Sequence, residues 1–225
     1  MMLLGVMVFS KLLRIALSIA IGAIAGILIW SAIFALTGFS LFGEVRDKPP
    51  ESHEVSNADL CDFAFGILSS INSSDYDALS RVAHPDRGVL FSPYATVDVS
   101  TNKSFSSEEI AAFGTDNAVY IWGVNSLGGE PIEMTPADYF SSIVNKRDYA
   151  SAPFIGINHI IRSGNALENI SDVFPNMQFV EFHFPGSGSK QNTIEDVDWC
   201  TLRLGFDSYD GRLWLTAIIN SKWSA

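Results

Sequence analysis

The sequence predicts an α+β domain, helices first and a curved antiparallel sheet last, carried behind an amino-terminal transmembrane helix. Three observations predict it. A charge-free apolar run fills Ile15 to Phe42. Capped amphipathic helix starts recur through the middle of the chain. The last third holds three β-rich runs, two of them joined by Asp210-Gly211, a hairpin turn pair.

The apolar run is 28 residues long, and about 20 apolar residues suffice to cross a hydrocarbon core of roughly 30 Å. It divides the chain into a cytoplasmic start (1–14), a membrane anchor (15–42), a linker (43–56) and an extracytoplasmic domain (57–225). Lys11 and Arg14 precede the run, whereas Glu44, Arg46, Asp47 and Lys48 after it balance. Basic flanks stay cytoplasmic, so the amino terminus is expected inside and the domain outside. A cleaved signal peptide is the alternative, but its apolar region is about 7–15 residues, and Ala35-Leu36-Thr37-Gly38 is a poor cleavage site. No Cys follows the run to carry a lipid. Ser18, Gly22 and Gly26 recur every fourth residue. Gly22 and Gly26 are candidates for a homodimer contact, or simply small residues common in spanning helices.

All 25 acidic residues lie beyond Phe42, against 12 of the 14 basic ones, so the outer domain is near −13. That charge disfavours nucleic acid, whose phosphates attract Lys and Arg clusters. It suits cationic ligands, divalent ions or plain solubility. Two cysteines, Cys61 and Cys200, are a candidate disulfide in an oxidising compartment. Closing so long a loop is worth about 4–5 kcal/mol on the chain-entropy model. Both also sit at apolar positions, where a free thiol is a small hydrophobe. No Cys/His cluster, phosphate loop or nucleophile elbow is present, so no metal site and no cofactor is expected.

Along the outer domain, Ser56-Asn57-Ala58-Asp59 is a capping box that opens a helix with Leu60, Phe63, Ala64, Ile67, Leu68 and Ile71 on one face. A shorter helix is expected over 75–83, stopped by His84-Pro85-Asp86-Arg87-Gly88. Val89 to Val99 reads as a strand that Pro93 interrupts, hence an edge or bulged strand. Ser106 and Glu109 form a second capping box, with Phe105 and Ile110 as its staple and Gly114 at the helix end. Ala118 to Trp122 reads as a short strand, and Thr135-Pro136 opens a further helix. Met177 to Phe184, Trp199 to Phe206 and Arg212 to Ile219 are the strands of the last third. Val180, Phe182 and Phe184, with Cys200, Leu202, Leu204 and Phe206, make the expected core side.

This order of elements resembles the nuclear transport factor 2-like (cystatin-like) fold. Four stretches resemble a family of uncharacterised bacterial extracytoplasmic proteins, many of them lipoproteins. They are His84-Pro85-Asp86-Arg87-Gly88-Val89 with Phe91-Ser92-Pro93-Tyr94; Trp122-Gly123 through Pro131-Ile132 to Tyr139; Asn169-Ile170 through Pro175 to Val180-Glu181-Phe182-His183; and Asp198-Trp199 through Leu202-Arg203-Leu204 to Trp214 and Trp223. The resemblance spans roughly residues 57 to 223. It implies a location in the cell envelope and a domain type, and brings no established activity. The spanning helix departs from the lipoprotein pattern, so lipid anchoring is not carried over.

Candidate binding residues are Glu181, His183, Trp199, Arg203 and His84. Glu181 and His183 point the same way from their strand. Trp199, Thr201 and Arg203 share that polar face if the next strand pairs with it, with Trp214 joining from the hairpin. The bland reading is a solvated or partner-covered face with Glu181 and Arg203 as a cross-strand ion pair. A carboxylate beside an imidazole also suits acid–base chemistry, and aromatics beside Arg suit an interface. His84-Pro85-Asp86 is the tripeptide of co-chaperone J-domains, but the preceding segment lacks the basic helix. It reads better as a helix-stopping turn with Asp86 and Arg87 pairing locally. Glu195, Asp196 and Asp198 form an acidic knot of no known metal-loop spacing, and Asn72, Asn102 and Asn169 fit the glycosylation acceptor pattern.

The favoured function is a membrane-anchored extracytoplasmic binding or interaction module. Replacing Arg203 and Trp199 is expected to abolish partner capture with the fold intact. A hydrolase or lyase using a cavity between helices and sheet, with His84, His159 or His183 opening into it, is one alternative. A structural subunit of an envelope complex is another.

Overall fold

Ser56 caps the first helix as predicted: its hydroxyl accepts from the Asp59 N–H while Asp59 accepts from the Ser56 N–H, a reciprocal cap that starts α1, Asn57–Ser73. The computed structural model describes residues 55–125, 128–186 and 198–222. Among them no helix is long and apolar enough to cross a membrane. The expected anchor with Gly22 and Gly26, the acidic pair Glu195 and Asp196, and Trp223 lie outside the described residues.

After α1 come α2 (Tyr76–Ser80), β1 (Val89–Ser92), β2 (Lys103–Phe105), α3 (Ser107–Ala111), β3 (Tyr120–Val124) and β4 (Pro131–Met134). Next are α4 (Pro136–Tyr139) with a π-helical turn (Phe140–Val144), a 3₁₀ turn (Tyr149–Ser151), β5 (Phe154–Ile157) and α5 (Ile170–Val173). The chain closes with β6 (Gln178–Phe184), β7 (Cys200–Tyr209) and β8 (Arg212–Lys222). The α+β class is thus observed. The six-stranded sheet runs β2-β1-β8-β7-β6-β5, and β3 and β4 form a separate pair. β7 and β8 are joined by Asp210-Gly211, both at positive φ (51° and 75°), which is the type I′ geometry that matches strand twist. A register shift between Gly205 and Phe206 bends this long hairpin.

Two expectations for β1 need correction. The strand stops at Ser92, ahead of Pro93, and it is not an edge. It lies between β2 and β8, and its pairing with β8 is parallel, so the sheet is mixed. Edge positions fall to β2 and β5, three and four residues long, too short to show alternation in sequence.

One sheet face carries Phe91, Val180, Phe182, Leu202, Leu204, Phe206 and Ile218 against α1 and α2. Beside it Phe91 sits at the centre of an aromatic cluster, 5.7 Å from the rings of both Trp122 and Phe140 and 5.9 Å from those of Phe105 and Phe113. The space between helices and sheet is filled by these rings. The other face is covered too. Leu90, Phe179, Ala217 and Ile219 pack against Val97 and Ile170, with Ile160, Phe174 and Met177 alongside. This covering layer, mostly irregular chain over 158–177, removes the polar sheet face from solvent.

Both cysteines are free thiols, Cys61 half-buried on α1 and Cys200 buried at the start of β7. The bridged alternative is not what the fold adopts; Cys200 packs in the main core instead.

Candidate functional site

Trp199 leads into β7 at one end of the sheet, where β8 ends, and there the chain leaves a cavity of about 450 Å³. Its walls come from five places: Pro93 and Tyr94 after β1, Ile132 of β4, Ser142, Ile143, Lys146 and Arg147 at the π-helical turn, Tyr149, and the paired strand ends Asp198–Cys200 and Asn220–Lys222. The size is that of a small-molecule site.

The π-helical turn shapes one wall. The Asn145 N–H bonds the Phe140 carbonyl at 2.7 Å, an i to i+5 closure that widens the helix. Asn220 braces this turn against the sheet by donating from Nδ2 to the Ile143 carbonyl at 3.0 Å. The Tyr149 hydroxyl lies against Cys200 and Asn220, and burial pushes its pKa well above that of an ordinary phenol, so it stays protonated.

Charge at the cavity opposes the charge of the domain. Lys146, Arg147 and Lys222 all line it. Arg147 lies 5.3 Å from the Phe184 ring and Lys222 5.8 Å from the Tyr94 ring. Among the described residues no carboxylate pairs with any of the three. Two buried polar atoms on lining residues also lack a partner: Trp199 Nε1 and Asn220 Oδ1.

The residues singled out from sequence part company here. Only Trp199 lines the cavity. His183 stands behind it, ring centroids 5.9 Å apart, with Nδ1 2.9 Å from the Thr201 hydroxyl. Burial, and then the Arg162 charge, hold the His183 pKa below its ordinary value. Glu181 and Arg203 are sealed. Arg203 donates from Nε at 2.9 Å and Nη2 at 2.6 Å to Glu181, and from Nη1 to Glu168 at 3.0 Å. The other Glu181 oxygen accepts from the Ile161 N–H in the covering layer. Burial raises the Glu181 pKa, with Arg203 opposing. The cross-strand ion pair is present, but its face is buried by the chain itself, not solvated.

His84 is at the other end of the hairpin. Its N–H bonds the Leu215 carbonyl, and its Nδ1 accepts from the N–H groups of Asp86 and Arg87. Arg87 pairs with Asp207 on β7, not with Asp86, so the expected local pair is replaced by one that ties the turn to the sheet. His159 is exposed, and no histidine lines the cavity. Asn169 is held by two bonds to the Val97 backbone. That makes it a brace for the covering layer.

Sequence reasoning missed Lys146, Arg147, Lys222, Tyr149 and Asn220. One signal was present: Lys146-Arg147 is the only adjacent pair of basic residues in the chain. The chain matches no family model and no curated protein.

Proposed function

We propose that this chain is a single-pass envelope protein, amino terminus cytoplasmic, whose outer domain is a non-enzymatic module that binds a small molecule in the cavity beside Trp199. The domain belongs with the nuclear transport factor 2-like, extracytoplasmic proteins it resembles. The carrying observation is the cavity itself: about 450 Å³, walled by Tyr94, Ile143, Tyr149 and Trp199 and lined by Lys146, Arg147 and Lys222. The helix–sheet space that a hydrolase or lyase of this kind would use is packed with Phe91, Trp122, Tyr139 and Phe140, which favours binding over that alternative.

Two measurements test this reading. Protease added to cells with opened outer envelopes should digest the domain, while intact inner membranes protect the first residues; a full-length product in the soluble cytosol refutes the anchor. Native mass spectrometry of protein extracted from membranes should show a small-molecule adduct that Ser142→Trp, which fills the cavity, removes. An adduct equally present in that variant refutes the site.

A further inference from the structure

We infer that the cavity takes an amphipathic organic anion, its carboxylate or phosphate head seated on Lys146, Arg147 and Lys222 and its apolar body against Tyr94, Ile143 and Trp199. This deepens the reading above and rests on the cavity being the ligand site.

Charge carries the first part. The domain is near −13, yet three of its twelve basic side chains line one cavity. All three are exposed where they line it, so an anion entering the cavity can reach them from solvent. Arg203 pairs with Glu181 and Glu168 and Arg87 with Asp207, while Lys103 and Arg212 stand over the Tyr120 and Trp214 rings. The cavity cations have aromatic rings as neighbours and no described carboxylate as partner. Asp198, the one acidic residue of the lining, has an interaction of its own. An anion seated there meets all three cations in one cavity, and Arg147 offers it a planar fork.

The walls carry the second part. Tyr94, Ile143 and Trp199 line the cavity together with the three cations, so an organic body gains apolar contact that a bare inorganic ion lacks.

Isothermal titration of the full chain in phosphatidylcholine nanodiscs with 1-naphthyl phosphate, 1-naphthol and inorganic phosphate tests this. Naphthyl phosphate is expected to bind at least tenfold tighter than either of the others. Arg147→Gln and Lys222→Gln should each weaken it about tenfold, the loss of one charged hydrogen bond. Trp199→Phe should weaken it several-fold, and Tm should not fall in the two charge variants. Discs containing phosphatidylglycerol separate the sources. Competition with naphthyl phosphate assigns the head to a lipid, and unchanged affinity assigns it to a soluble molecule. Equal binding of naphthol, or charge variants that bind as the parent does, overturns the anion inference and leaves the cavity reading standing. Binding by none of the probes overturns the inference. Binding that survives Ser142→Trp overturns the cavity reading beneath it.

Discussion

Glu181 and Arg203 face each other across β6 and β7, 2.6 Å apart at their closest atoms, and neither reaches solvent (0% and 1% exposed). Glu168 and the Ile161 N–H complete the set. Each nitrogen of Arg203 and each oxygen of Glu181 has a hydrogen bond within the fold, which makes the pair a clamp between sheet and covering layer. Breaking such a pair from one side leaves an uncompensated buried charge, at about 3–5 kcal/mol. Arg203→Met should therefore lower urea stability by about that much. Glu181→Leu with Arg203→Met should recover part of the loss, because the Ile161 N–H and the Glu168 carboxylate still lose their partners. Arg203 therefore supports the fold, and its replacement does not leave the domain intact, contrary to what its sequence position suggests. A loss under about 1 kcal/mol for Arg203→Met would contradict the clamp.

His84 and His183 give stability a pH dependence. Burial is the main cause of a lowered pKa in both, below the ordinary 6.5. At His84 the Arg87 charge adds to it while Asp207 and Asp86 oppose. Two backbone N–H groups also donate to His84 Nδ1, which holds that nitrogen unprotonated. As pH falls through 6.5 the unfolded chain takes up protons that the folded chain refuses. The unfolded state then binds more protons, and stability drops with falling pH until the native imidazoles protonate. Above 6.5 these two contribute no slope. Urea midpoints from pH 8 to 5 should be flat and then decline, and His84→Gln with His183→Gln should flatten the decline. An unchanged slope in the double variant would count against both assignments.

Much of this fold is written locally and so was readable. Ser56 with Asp59, Ser106 with Glu109, and Thr135 before Pro136 each announce a helix start within four residues, and each is found. The alternation of Val180, Phe182, Leu202 and Leu204 gave the core face of β6 and β7. What stayed hidden is non-local or aperiodic. The parallel pairing of Leu90 with Ala217 joins positions far apart in sequence. Ile160, Ile170 and Phe174 cover the second sheet face from segments with little or no regular structure, so nothing in their spacing said that Glu181 and Arg203 would be buried. The cavity has the same character. Tyr94, Lys146, Trp199 and Lys222 meet only because β8 ends beside the start of β7 and the π-helical turn swings over both.

Two glycines at positive φ separate conformational from steric need. Gly211 (φ 75°) has open space where a Cβ would go, whereas a Cβ on Gly88 (φ 65°) would collide with the Phe105 carbonyl. Gly211→Ala should cost about 1 kcal/mol, the left-handed penalty alone. Gly88→Ala should cost clearly more, because β2 must shift away from the turn that begins at His84. Equal losses in urea unfolding would show that the β1–β2 edge yields freely.

Tyr139 provides a test in the opposite direction. Its ring stacks on Trp122, centroids 3.8 Å apart and planes within 9°, in the middle of the aromatic cluster. Its hydroxyl is buried with no hydrogen-bond partner, and burial drives its pKa far above that of a free phenol. The hydroxyl thus gives up its water on folding and gains nothing in return, a loss of about 1–3 kcal/mol. Tyr139→Phe keeps the stacking surface and deletes that loss, with one small void where the oxygen stood. The net expectation is a gain of up to about 1 kcal/mol, the desolvation relieved less the void created. Tyr149→Phe is the control, since that hydroxyl lies against Cys200 and Asn220, and it should destabilise by about 1 kcal/mol. Opposite signs for the two changes in urea unfolding are the expected result. A clear loss for Tyr139→Phe would mean that its hydroxyl is satisfied after all, by a buried water bridging towards the cavity wall at Tyr94.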